Sequence, residues 1–144
     1  MHGATYRFRL ERVLALRTRR EQQAKQDYAA ALRDRARAER EVAIAGERIL
    51  GAMDSQVHAN ATELRAHQLF IERLEQQRHA AVTALGGSDA VLAQKKISLT
   101  EAVRDKEALE RLKTKGFEQH RLDLERSEQK VLDEIAGNSH WRQT

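Results

Sequence analysis

AKQDYAAALRDRARAEREVAIAGERILGA, residues 24–52, carries the pattern that decides the fold. Within it Ala24, Tyr28, Ala31, Ala38, Val42, Ala45, Ile49 and Ala52 recur at steps of three, four or seven, with charged side chains among the positions between. Spacing near 3.5 residues places them on one stripe of an α-helix, and a stripe kept up for many turns is a coiled-coil seam. The stripe reaches back to Leu14 and Leu10, and forward through Leu64, Ile71, Leu74, Val82 and Leu85. Leu92, Leu99, Val103, Leu109, Leu112, Leu124, Val131 and Ile135 extend it further. Arg17, Glu21 and Arg35 interrupt its first half, Lys106 and His120 its second. Alanine at so many seam positions implies close but shallow packing.

Composition agrees with the stripe. The 144 residues include no proline and no cysteine, 4% aromatic and 33% charged side chains, and 22 Ala, 16 Leu and 19 Arg. The absence of cysteine excludes a disulfide framework and thiolate-ligated metals. Without proline, the usual turn punctuation of a β-sandwich is missing. So few aromatics cannot fill a compact globular core, whereas Ala, Leu and Arg are good helix formers. The class expected is all-α, a long coiled-coil structure.

Its main visible break is Gly86-Gly87-Ser88-Asp89. Paired glycines suit a helix C-terminus, and Ser88 or Asp89 can cap the next helix. The sequence therefore predicts a single domain: helix one over about residues 8–85, a turn at 86–89, helix two over about 89–136, and a tail at 137–144. Two long helices joined by a short turn run antiparallel, as a hairpin. Folding about Gly87 sets Ala136 opposite Ala38. Residues before about 38 then overhang, and they are basic: residues 1–40 carry 11 Lys+Arg against 5 Asp+Glu, and the remainder 15 against 17. No apolar run approaches the roughly 7–15 residues of a signal-peptide core or the ~20 of a membrane span. The expected location is the cytoplasm.

Chemistry is hard to find. Six histidines (His2, His58, His67, His79, His120, His140) include no pair three or four residues apart, so no helical ligand pair forms. Carboxylates such as Glu21 and Glu107 stand four residues from Lys25 and Arg111, the pairing of a solvated helix face. No phosphate loop, nucleophile elbow or calcium loop is present, so no catalytic, cofactor or metal residue is assigned. Asn60-Ala61-Thr62 matches the glycosylation acceptor pattern, which means little without a secretory signal.

Charge and aromatic residues say more. Arg7, Arg9, Arg12, Arg17, Arg19 and Arg20 cluster in the overhang, a surface for an acidic protein, nucleic acid or anionic lipid. Protein is favoured over nucleic acid, because no stacking platform or groove-reading motif accompanies the arginines. Phe70 flanks Ile71 and Leu74, and reads either as a partner anchor or as a cap on the seam. Trp141, past the last seam position, is the tail's one aromatic.

Three segments resemble the FliJ family of flagellar type III export proteins. Tyr6-Arg-Phe8-Arg-Leu10-Glu-Arg-Val13-Leu14-Ala-Leu16-Arg17 looks like the family's opening pattern. Gln68-Leu-Phe70-Ile71-Glu-Arg-Leu74-Glu is similar to its mid-helix motif, and Gln129-Lys130-Val-Leu132-Asp133-Glu134-Ile-Ala136, with Arg142 beyond, to its C-terminal signature. The resemblance implies a non-enzymatic antiparallel coiled coil, similar to the central stalk of rotary ATPases, at the export apparatus of the inner membrane. It implies insertion of the terminal end into the hexamer of the export ATPase FliI, through Arg7, Arg9, Arg12, Arg17, Arg19, Arg20, Asp133, Glu134 and Arg142. It also implies contact with the export gate FlhA through His67, Phe70, Leu74 and Gln77, and escort of export chaperones. Injectisome counterparts look alike. The reading from a different class is a basic helical hairpin that binds nucleic acid or anionic membrane.

Overall fold

The structure, a computed structural model, describes residues 5–55 and 60–143. Two helices account for nearly all of them, α1 (Glu11–Asp54) and α2 (Ala61–Gln143), and no strand occurs among the described residues. The class is all-α, with two long helices packed against each other. Two compact units can be described separately: residues 22–101, and residues 1–21 with 102–144.

The 22–101 unit holds the helix break, and the break is not at the paired glycines. α2 runs straight through Gly86 and Gly87, which keep ordinary negative φ. A glycine pair ends a helix only where the chain turns left-handed; here Leu85, Ser88 and Leu92 continue the half-buried stripe on both sides. The helices are instead joined by residues 55–60. Asn60 caps α2: its Oδ1 accepts the Glu63 N–H at 2.9 Å and its carbonyl accepts the Leu64 N–H at 3.1 Å. Asn-x-x-Glu is a capping-box spacing, with the Glu63 carboxylate in the first turn where the helix dipole favours it. No atom lies within 4 Å of a Cβ built on Gly86 or Gly87. Gly86→Ala with Gly87→Ala should therefore stabilise the chain by about 1 kcal/mol per site in a chemical melt; a destabilised double variant would show that the glycines serve the packing.

Moving the break moves the register. Ile49, Ala52 and Leu74 form the buried cluster of this unit, with Ile71 packed beside it. Arg35 reaches across to Asp89 and also along its own helix to Glu39 at 3.0 Å. Those partners hold the Arg35 guanidinium even more firmly charged than usual, the hydrogen bond to Asp89 contributing most. Arg35 thus lies against Asp89, where a turn at Gly87 would have sent Ala38 to Ala136.

In the other unit the start of α1 is paired, not overhanging. Leu14 is buried, Arg17 bridges to Asp105 at 3.1 Å, and Glu11 to Lys113 at 3.0 Å. Glu21 is buried and pairs with Lys106 at 3.1 Å. The seam's interruptions are therefore answered: Arg17, Glu21 and Arg35 each meet an oppositely charged group on α2, and His120 meets the Tyr6 ring. A polar pair inside an apolar seam specifies register, because any slide strands a charge.

The Lys106 ammonium is held above its usual range, first by the hydrogen bond it donates to Glu21; partial burial opposes this, and the charges of Glu21 and Glu110 add to it. A cation whose folded pKa is raised contributes stability that is complete below the ordinary lysine range near ~10.4 and disappears as pH climbs through the raised value. Thermal melts from pH 7 to 11 should show wild type ahead of Glu21→Gln at neutral pH and losing that lead at the alkaline end. A gap that stays constant across the range would mean this pair does not titrate as described.

Candidate functional site

Two surfaces qualify, one in each unit. In the terminal unit, α2 runs on past the start of α1. Lys106, Leu109, Lys113, Gly116, His120 and Leu124 are half-buried at heptad spacing, but every residue described from Glu125 to Arg142 is exposed. The stripe itself continues. Ser127, Glu128, Val131, Leu132 and Ile135 line a shallow groove, and Leu132 and Ile135 are 59% and 60% exposed. These are the spacings that upstream pack against α1, here with no helix among the described residues against them. Trp141, 82% exposed, stands near the end of the same helix, where His140 and Arg142 complement the negative end of the dipole.

Arg7, Arg9, Arg12, Arg19 and Arg20 are exposed, and none makes an ion pair among the described residues; Arg17 is tied to Asp105. Asp133, Glu134 and Arg142 are also exposed, with Asp133 accepting a hydrogen bond from Gln129 Nε2 at 3.1 Å. The two sets do not sit side by side. The arginine-rich start lies along the stretch of α2 that holds Asp105, Lys113 and Phe117. Asp133 is reached only about 24 Å of helix beyond Phe117, at 1.5 Å per residue. What overhangs is therefore acidic and basic in near balance with an apolar stripe, not a bare basic arm.

The second surface lies just after the helix break. Phe70 is half-exposed at 50% and stands outside the buried cluster, beside Leu69 at 49%. Leu74 is buried at 6%, His67 is half-buried, and Gln77 is exposed. His67, Phe70, Leu74 and Gln77 recur at steps of three and four, so they share a face, with Leu74 turned into the core and Phe70 on its flank.

Sequence reasoning missed the unpartnered Val131–Ile135 groove, because it assigned those residues to the paired seam. It also missed the packing of Tyr6 on α2, for which no sequence signal exists. Among the described residues no group of three His, Asp or Glu side chains could hold a metal, and no helix is long and apolar enough to cross a membrane. His2 and His58 lie outside the described residues.

The family model described as Flagellar FliJ protein matches residues 6–144. The chain belongs to the FliJ family. Membership carries a flagellar export-related role as a non-catalytic component, with partners drawn from the export machinery. Neither a curated protein nor a solved structure matches the chain.

Proposed function

We propose that this chain is a stalk-like activator of the flagellar export ATPase that also docks on the export gate. The observation that carries the first half is the outlasting seam: α2 presents Val131, Leu132 and Ile135 at partner-binding spacing beyond the start of α1. An apolar stripe at the end of α2, with the exposed arginines of the start of α1 set back along the same unit, fits a ring lumen lined with carboxylates. The stripe supplies buried area and the guanidinium groups supply bidentate pairing. Entry through the end that bears both termini makes use of both. The ATPase rate of the cognate export ATPase, measured with and without the full chain, tests this directly. No change in rate across a range of chain concentrations would end the ATPase half of the reading.

The gate half rests on Phe70, an aromatic left half-exposed in a chain with six aromatics. Exposed aromatics flanking a buried residue are the usual form of a protein–protein anchor. Phe70→Ala should change folding stability by no more than about 0.5 kcal/mol. It should weaken gate binding at least about tenfold, as loss of an anchor does. A Phe70→Ala chain that melts early and binds normally would return this residue to the seam. Leu74 is a poorer probe, since its truncation opens the core. Escort of export chaperones and placement at the inner membrane belong to the same proposal. The flagellar family match favours this system over an injectisome. A basic hairpin for nucleic acid is the weaker reading, because three of the seam's charged residues, Arg17, Arg35 and Lys106, already face carboxylates.

A further inference from the structure

Residues 5–10 are not helical, yet Tyr6 packs back onto α2. Its ring lies edge-to-face with Phe117, 6.0 Å between centroids and 74° between planes, and tilted against His120 at 5.6 Å. Beneath it is Gly116. A Cβ built there would collide with the Tyr6 phenolic oxygen and stand 3.0 Å from Cζ. Of the described glycines only Gly116 meets any neighbouring atom within 4 Å, so here alone a missing side chain makes room for another. Two further contacts tie down the α1 end of the segment. The Phe8 carbonyl accepts the Glu11 N–H at 3.2 Å, and Glu11 pairs with Lys113, less than a turn from Gly116. Arg7 and Arg9 fall between the aromatic and ionic attachments, and both are exposed.

We propose that Tyr6, seated over Gly116, is a positioning residue that fixes Arg7 and Arg9 on the terminal end for the export ATPase. This rests on the ATPase reading above. The seat converts a flexible run of residues into a fixed presentation, so the ordering cost of binding is met within the free chain. Tyr6 itself need not touch the ATPase. Gly116 is the device's other half, a helix-weakening residue kept where a ring must pass.

Gly116→Ala in the full chain tests the seat without harming the helix, since alanine is the better helix former. The helical melt should hold or rise, while trypsin cleaves after Arg7 and Arg9 faster than in wild type. The chain concentration for half-maximal ATPase stimulation should rise about tenfold, with the maximal rate kept, as for a lost preorganisation. Adding Tyr6→Phe to Gly116→Ala removes the colliding oxygen, and a small ring shift relieves the remaining Cζ contact. That double variant should regain both trypsin resistance and the wild-type half-maximal concentration. Unchanged cleavage in Gly116→Ala overturns the seat. Faster cleavage with unchanged stimulation overturns the positioning role and leaves the ATPase reading standing. Loss of stimulation that Tyr6→Phe does not rescue places the effect in α2 and also overturns the proposal. A wild-type chain that fails to stimulate overturns the ATPase reading, and this inference with it.

Discussion

Ile49→Ala and Ile135→Ala will separate in a thermal melt. Both residues lie on the same apolar stripe, but Ile49 is 7% exposed in the cluster with Ala52 and Leu74, and Ile135 is 60% exposed beyond α1's reach. Removing three carbons from Ile49 forfeits their transfer energy and leaves a void that a two-helix core can only partly close. The expected loss is about 2–4 kcal/mol, a large share of the stability of so thin a core. Ile135→Ala should stay within about 0.5 kcal/mol of wild type. Its cost should appear elsewhere, as a weaker stimulation of the ATPase, because the proposed function makes its stripe the surface offered to the ring. Chemical denaturation of the two variants beside an ATPase titration gives both readings. Equal melts would mean that α2's end is packed in the free chain; wild-type stimulation by Ile135→Ala would remove this stripe from the interface.

The replacement of Arg9, Arg12 and Arg19 together by Glu should abolish ATPase stimulation. All three are exposed, so the change breaks no ion pair among the described residues. Arg12 is in α1's first turn and Arg9 just before it, where acidic side chains favour the helix dipole. Folding should therefore be preserved. Arg17 is left in place because its Asp105 bridge would confuse structure with binding. The triple exchange turns attraction toward carboxylates into repulsion, and wild-type stimulation should itself weaken with added salt. Arg65, Arg73 and Arg78, exposed on α2 in the other unit, provide the charge-matched control when replaced by Glu. Equal loss of stimulation in both triple variants would assign the effect to net charge instead of to the terminal arginines.

The stripe was legible in the sequence, and the buried apolar residues follow it: Leu14, Ala31, Ile49, Ala52 and Leu74 all stand at seam spacing. The break was not. Gly86-Gly87 has the composition of a C-cap, but a helix held by a partner tolerates glycine, and only the left-handed φ that neither residue adopts would have ended it. The true signal was Asn60-Ala-Thr-Glu63, a capping-box spacing in a stretch where the stripe passes from Ala52 to Leu64 without a member. That stretch was read for its glycosylation pattern instead. One misplaced turn then carried every cross-helix pairing with it, because an antiparallel register is set by where the chain reverses. The same displacement assigned the overhang to α1's arginines when it belongs to α2's end. The exposure of Phe70 was legible from its flanking position, and Tyr6 over Gly116 needed coordinates, since nothing in local sequence says which glycine another ring will cross.

An alanine-lined seam is a nearly smooth track. Sliding one helix of the 22–101 unit along the other by a heptad would exchange the small methyl surface of one of Ala24, Ala31, Ala38 and Ala45 for another at little cost in packing. Arg35 against Asp89 is the tooth on that track, and Glu11 against Lys113, Arg17 against Asp105 and Glu21 against Lys106 are cut the same way in the terminal unit, where the seam holds fewer alanines. Drift in this gene would then be lopsided. The alanines can be exchanged one at a time for other small residues, whereas each tooth can change only together with the one it meshes with.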